Sequence, residues 1–190
     1  MTATNADKLY KDLISQRYTE GLKTYIITLK FSDFTLLDRE LLDQISYGGD
    51  LWEFRADLLE HPSFEQTRIP PLEHVKNQLQ TLRSLTTLPV LFTVRTISQG
   101  GKFPDNAAQE ALALMKLAVE VGCEYIDVEL DWPSFVVEDI RASKGGSKIV
   151  ASYHESSGNV RWTSEALQEK CRAADAIGGM AATFLLNRSH

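Results

Sequence analysis

The chain has 190 residues, 43% of them hydrophobic and 24% charged, with a formal net charge of −6. That length and apolar content suit one globular domain and exclude disorder as the main state. The acidic balance speaks against an extended nucleic-acid face, which needs a basic surplus. Cys123 and Cys171 form neither a disulfide framework nor a zinc motif. No apolar run reaches the roughly 18 residues of a membrane span, and no signal-peptide pattern follows Met1. The expected setting is therefore reducing, cytoplasmic or nuclear.

Residues 4–20 read as a sparse polar helix ending at Gly21, so 1–22 is taken as a linker helix and 23–190 as the folded domain. Thr24 to Leu29 is rich in β-branched residues and predicts the first strand. Phe34, Leu37, Leu41, Leu42 and Ile45 recur at three- and four-residue steps, which predicts a helix stopped by Gly48-Gly49. The second strand is Leu51 to Ala56. After a proline-marked loop, Leu72 to Leu85 is a helix with Val75, Leu79 and Leu82 on one face. Val90 to Arg95 is the third strand. Ala107 to Val121 is a strong helix with Gly122 at its C-terminal stop. Tyr125 to Leu130 is strand four, and Pro133 opens a short helix to Ser143. Lys148 to Tyr153 is strand five, and Thr163 is the expected cap of a helix to about Ala176. Met180 to Leu186 is the sixth strand candidate.

Six alternations of strand and helix without a hairpin signal indicate a parallel α/β fold, either a barrel or a doubly wound sheet. Function in such folds collects at the carboxyl ends of strands. Those ends are polar here. Glu53, Arg55 and Asp57 stand two apart on strand two, Thr93 and Arg95 on strand three, Asp127 and Glu129 on strand four, and Ser152 and His154 on strand five. A spacing of two sends side chains to one face. A charged pair on one strand is commonly a solvated face or a structural ion pair, and a lone histidine is commonly structural. The same alignment on four strands points to a polar mouth. The arginines suit an anionic or polyhydroxylated small molecule.

The segments Glu53-Phe54-Arg55-Ala56-Asp57, Val94-Arg95-Thr96 with Gly100-Gly101 behind it, Tyr125-Ile126-Asp127-Val128-Glu129 and Ser152-Tyr153-His154 fall in order. Together they resemble type I 3-dehydroquinate dehydratase, from about Tyr25 to Gly178. Ser98-Gln99-Gly100-Gly101-Lys102-Phe103-Pro104 resembles the fungal branch. The resemblance implies a (β/α)8 TIM barrel that eliminates water from 3-dehydroquinate, with no cofactor and no metal. A lysine forms a Schiff base with the ketone as electron sink. A histidine moves the protons. Carried over by motif, His154 is that general acid and base, and Glu53 the carboxylate that orients it. Arg55, Arg95 and Gln99 fall in the substrate-binding set; many bacterial members have a glutamate at the Gln99 position.

One departure dominates. The family's Schiff-base lysine position falls on or near Ala182, and Lys170 is the last lysine in the chain. Lys148 lies six residues before His154, roughly 20 Å away along an extended strand. A complete barrel usually takes about 250 residues, so about six β/α units are expected, without the last two strands and the substrate-clamping arginine. These departures imply a pseudoenzyme. They lead to the expectation of a dehydroquinase-like domain from a quinate-pathway transcription repressor, sensing a quinate-pathway metabolite or binding a transcription activator. The alternatives are a truncated dehydratase from the fungal pentafunctional shikimate-pathway polypeptide, and an unrelated use of the fold. Open sheet edges would favour a homodimer, possibly with exchanged elements. Neither a membrane nor direct nucleic-acid contact is expected. Trp52, Trp132, Trp162 and Cys123 are read as packing residues, and His61 and His74 as solvent-facing.

Overall fold

The computed structural model describes residues 12–155, 161, 163–177 and 182–186. Six strands form one parallel sheet in sequential order: β1 Ile26–Leu29, β2 Leu51–Arg55, β3 Val90–Thr93, β4 Tyr125–Glu129, β5 Lys148–Glu155 and β6 Ala182–Leu186. Helices α2 Arg39–Ile45, α3 Leu72–Leu85, α4 Ala108–Val121, α5 Ser134–Ser143 and α6 Glu165–Ala176 connect them. This is the expected truncated barrel of six β/α units. Among the described residues β1 and β6 each have one strand neighbour.

Strand alternation divides the apolar material in two. Trp52, Phe54, Phe92, Ile126, Val128 and Ile149 belong to one large core with Leu79, Leu82, Ala111, Met115, Val136 and Ile140 of the helices. The alternate residues Leu51, Leu91, Tyr125 and Val150 form a second, smaller cluster. The large core is the main stabilising element, since each fully buried Leu or Phe contributes roughly 1.5–3 kcal/mol. Phe34, Phe54 and Phe92 stack through it, with centroids 4.7 and 5.7 Å apart.

The first helix, α1 Leu13–Thr19, starts at Asp12, whose carboxylate accepts from Ser15 N–H. Ile14 packs on the smaller cluster, and its backbone N–H donates to the Tyr125 hydroxyl at 3.2 Å. Residues 1–11 of the expected 4–20 helix lie outside the described residues.

Two local expectations need correction. The continuous helix expected from Phe34 to Ile45 is a 3-10 turn, Phe34–Leu36, followed by α2. Asp33 and Asp38 each cap a separate start, and Leu37 between them is extended. Ser164 rather than Thr163 caps α6, accepting from Leu167 N–H. Trp52, Trp132 and Cys123 are buried as expected, and burial pushes the Cys123 thiol up to about 12. Trp162 lies outside the described residues. His61 is exposed, but His74 is half-buried against Phe64 and His61, with Nε2 buried and unpartnered. No helix among the described residues is long and apolar enough to cross a membrane.

Candidate active site

Beyond the small apolar cluster, the same strand positions turn polar. The side chains two and four residues further on are Glu53 and Arg55, Thr93 and Arg95, Asp127 and Glu129, and Ser152 and His154. Alternation thus carries one face from hydrocarbon to charge within four residues.

Glu53 Oε2 accepts from Thr28 Oγ1 at 2.6 Å, and Oε1 accepts from Thr93 Oγ1 at 2.8 Å. Arg55 donates from Nε and Nη2 to the two oxygens of Asp57, each at 2.7 Å. Asp57 sits in the 3-10 turn Ala56–Leu58 and also accepts the backbone N–H of Lys102 at 3.1 Å. It therefore fixes the Arg55 fork and anchors the loop after β3.

Arg95 lies deepest. Nη1 donates to Glu129 Oε1 and Ser152 Oγ, both at 2.9 Å, and Nη2 donates to Asp127 Oδ2 at 2.8 Å. Burial works against its charge, but Asp127 and Glu129 outweigh it and hold the guanidinium above its ordinary value. Burial pushes the Glu129 carboxyl up, against the pull of Arg95 and Thr96. Thr96 donates its N–H and its hydroxyl to that carboxylate at 3.0 and 2.7 Å.

His154 is half-buried, and its Nδ1 is buried without a partner. Burial, then Arg95 and Arg55, hold its pKa down to about 4, against the opposing charge of Glu53. The imidazole is therefore held in its neutral form at neutral pH. A neutral histidine in the fold also has a stability signature. An unfolded histidine titrates near 6.5, so between about 6.5 and 4 the unfolded chain takes up a proton that the folded chain refuses. The His154 contribution is complete above that window and is lost as pH falls through it. His74, depressed by burial and by His61, acts in the same direction. The urea midpoint is expected to fall from pH 7 to pH 5, and to fall less steeply in His154→Gln. Equal slopes for both proteins would overturn the assignment.

The structure brings Glu53, Arg55, Arg95 and His154 into mutual electrostatic range, and gives three of the expected site residues protein partners of their own. The Glu53 hydrogen bonds go to Thr28 and Thr93, and it acts on the His154 ring through charge. Arg95, 4% exposed, is hydrogen-bonded to Asp127, Glu129 and Ser152. Gln99, 5% exposed, is also paired within the protein. Its Oε1 accepts His154 N–H at 2.6 Å, and its Nε2 donates to Asp131 Oδ2 at 2.5 Å. Arg55 keeps a partly exposed side chain. The part played by Asp57 went unassigned from sequence, although its place in the Glu53-Arg55-Asp57 series was the available signal. Thr28 carried none. Ala182 pairs with Ala151 in the β5–β6 register, and residues 182–186 include no lysine. Lys148 begins β5, at the opposite end from His154. A groove of about 550 Å³ lies beside Asp57 and Phe64, and neither Arg55 nor His154 is in its lining.

A sequential parallel β/α sheet with ionisable groups gathered at the carboxyl ends of its strands defines a barrel-type protein with its site at that face. The match to the family described as type I 3-dehydroquinase covers residues 25–182, and the chain belongs to that family. It is 43% identical over 188 residues to the pentafunctional AROM polypeptide of Mycosarcoma maydis, covering 94% of this chain and 11% of that protein. It is 40% identical over 141 residues to the pentafunctional AROM polypeptide of Malassezia globosa, covering 74% of this chain and 8% of that protein. The chain thus spans about a tenth of the length of these curated relatives. Among solved structures, the dehydroquinate dehydratase and shikimate dehydrogenase from S. pombe AroM matches with a TM-score of 0.80 and 32% identity, over 90% of this chain and 32% of that one. The 3-dehydroquinate dehydratase from Geobacillus kaustophilus matches with a TM-score of 0.70 and 26% identity, over 85% of this chain and 60% of that one. These relatives overturn the transcription-repressor expectation: similarity along nearly the whole chain runs to AROM polypeptides.

Proposed function

We propose that this chain is a type I 3-dehydroquinate dehydratase module of a fungal pentafunctional shikimate-pathway polypeptide. It is arranged to bind 3-dehydroquinate but lacks the amine for the family's covalent intermediate. The observation that carries the reading is the half-buried His154 imidazole set within electrostatic range of Arg55, Arg95 and Glu53 at the strand ends, in a chain with no lysine after Lys170.

The chemistry follows from these groups. Elimination of water from 3-dehydroquinate takes a proton from the carbon beside the ketone and returns one to the departing hydroxyl. A neutral imidazole can do both in turn. Arg55, fixed by Asp57 yet partly open, suits the oxygen-rich substrate. In the family the lysine imine accepts the electron pair that the lost proton leaves behind. No residue of β6 can form it. Four carboxylates (Glu53, Asp57, Asp127, Glu129) stand against two guanidiniums (Arg55, Arg95), a surplus of negative charge that suits a cationic amine at this place. Lys170 does not supply it, because its Nζ is paired with Asp131 and lies 5.0 Å from the Tyr153 ring centroid.

The test is incubation with 3-dehydroquinate and borohydride followed by intact-protein mass spectrometry, with calorimetry in parallel. We expect heat of binding, no covalent mass increase and no conjugated product. A trapped adduct on any lysine, or product formation, would overturn the missing-amine half. Absence of binding would overturn the substrate half.

A further inference from the structure

We infer that Gln99 is a positioning residue, a buried amide strut that sets the backbone at His154 by tying it to Asp131. The inference rests on the proposed function only for what His154 does once it is placed. The strut joins two loops and a strand at one end of the sheet. Gln99 comes from the β3–α4 loop, Asp131 follows β4, and His154 lies near the end of β5.

A carboxamide is the side chain this geometry requires. One end must accept the His154 N–H and the other must donate to a carboxylate, and only an amide of this length offers both. A glutamate would face Asp131 with a second carboxylate at hydrogen-bond distance, which repels. The loop that presents Gln99 is built to hold it still. Gly101 N–H donates to Thr96 O at 2.7 Å, Ile97 N–H to Phe103 O at 2.9 Å, and Ser98 N–H to Asp105 Oδ1 at 2.9 Å. Gly100 takes φ +83°, a conformation that favours glycine. Asp131 is anchored on its other oxygen by Lys170 of α6. Four elements thus converge on the one N–H that fixes where the His154 side chain leaves the strand. Both polar ends of the Gln99 amide are engaged with the protein, so it orients the proton-transfer group through its backbone.

The decisive experiment exchanges the two partners. Gln99→Glu removes the donor, Gln99→Met removes both functions at similar volume, and the double variant Gln99→Glu/Asp131→Asn restores a donor and an acceptor with their order reversed. The amide introduced by Asp131→Asn can still offer its oxygen to Lys170. Amide exchange at His154 and titration of its ring are read by NMR on the full chain without ligand, with near-UV circular dichroism as the check on packing. Loss of the His154 N–H acceptor in Gln99→Met should speed His154 amide exchange about tenfold, and Gln99→Glu, which keeps an acceptor but loses the tether that holds it to Asp131, should speed it in the same direction by less. Both should also displace the ring titration, and the double variant should return both readouts toward the parent. Parent-like exchange and titration in both single variants would overturn the inference. So would a natively packed double variant that shows no recovery. Because no substrate is present, failure of the parent chain to bind 3-dehydroquinate would refute the proposed function and leave these readouts standing.

Discussion

Replacing Arg95 with methionine is expected to destabilise the fold by about 3–5 kcal/mol, the range for removing one partner from a buried ion pair. The side chain is 5% exposed and satisfies Asp127, Glu129 and Ser152 together. Methionine fills much of the volume, so the loss is electrostatic. It leaves two buried carboxylates side by side, and one must take a proton or draw in water. The deficit should therefore shrink as pH is lowered from 7 toward 5, which no packing defect would produce. Arg95→Lys keeps the charge but not the planar fork, and should recover only part of the loss. Urea unfolding at the two pH values checks this. A methionine variant as stable as the parent at pH 7 would show that the cluster carries no net stabilisation.

Gly101→Ala is expected to cost about 3 kcal/mol, at the upper end for forced overpacking. A Cβ there would stand 2.1 Å from Arg95 O, 2.5 Å from Arg95 C and 2.6 Å from Arg95 Cβ. These atoms cannot yield easily, because the Arg95 guanidinium is held by three partners on β4 and β5. The damage should spread along the loop to Gln99 and so to His154. Gly146→Ala is the control, since a Cβ there meets nothing within 4 Å and φ is not in the left-handed region; its effect should stay within about 0.5 kcal/mol. Thermal and urea unfolding of the pair decide the point. Equal stability of the two variants would mean the loop relaxes freely.

Much of the fold was legible because its signals are local. Helix α3 occupies the expected Leu72–Leu85, and the five strands from Leu51 onward lie where short apolar or alternating runs met turn residues. The misreadings at Leu37 and Thr163 were contests between neighbouring candidates, settled by which side chain reached a free N–H. The site was half legible. A spacing of two residues correctly aligned Glu53 with Arg55 and Ser152 with His154. It could not say whether a charged group would face a ligand or its own neighbours. Arg95 and Arg55 look alike in sequence, yet one is enclosed by Asp127 and Glu129 and the other reaches solvent. That outcome depends on the stagger between strands: Arg55 pairs across the sheet with Thr93, and Glu129 with Ser152. Gln99 was visible as a residue but not as a strut, because Asp131 and His154 lie 32 and 55 positions away.

The separation of the two faces of each strand has a consequence for how such a chain can change over time. Cohesion resides mainly on the helix-covered side, in Phe54, Phe92, Ile126 and their partners. Chemistry resides on the other, where Arg55 and His154 contribute little to cohesion and Arg95 contributes much. Substitutions at Arg55 or His154 can therefore drift without loss of the fold, whereas those at Arg95 cannot. A sequence of this design can lose its reaction and still keep its shape, which leaves a folded scaffold on which new specificity can accumulate.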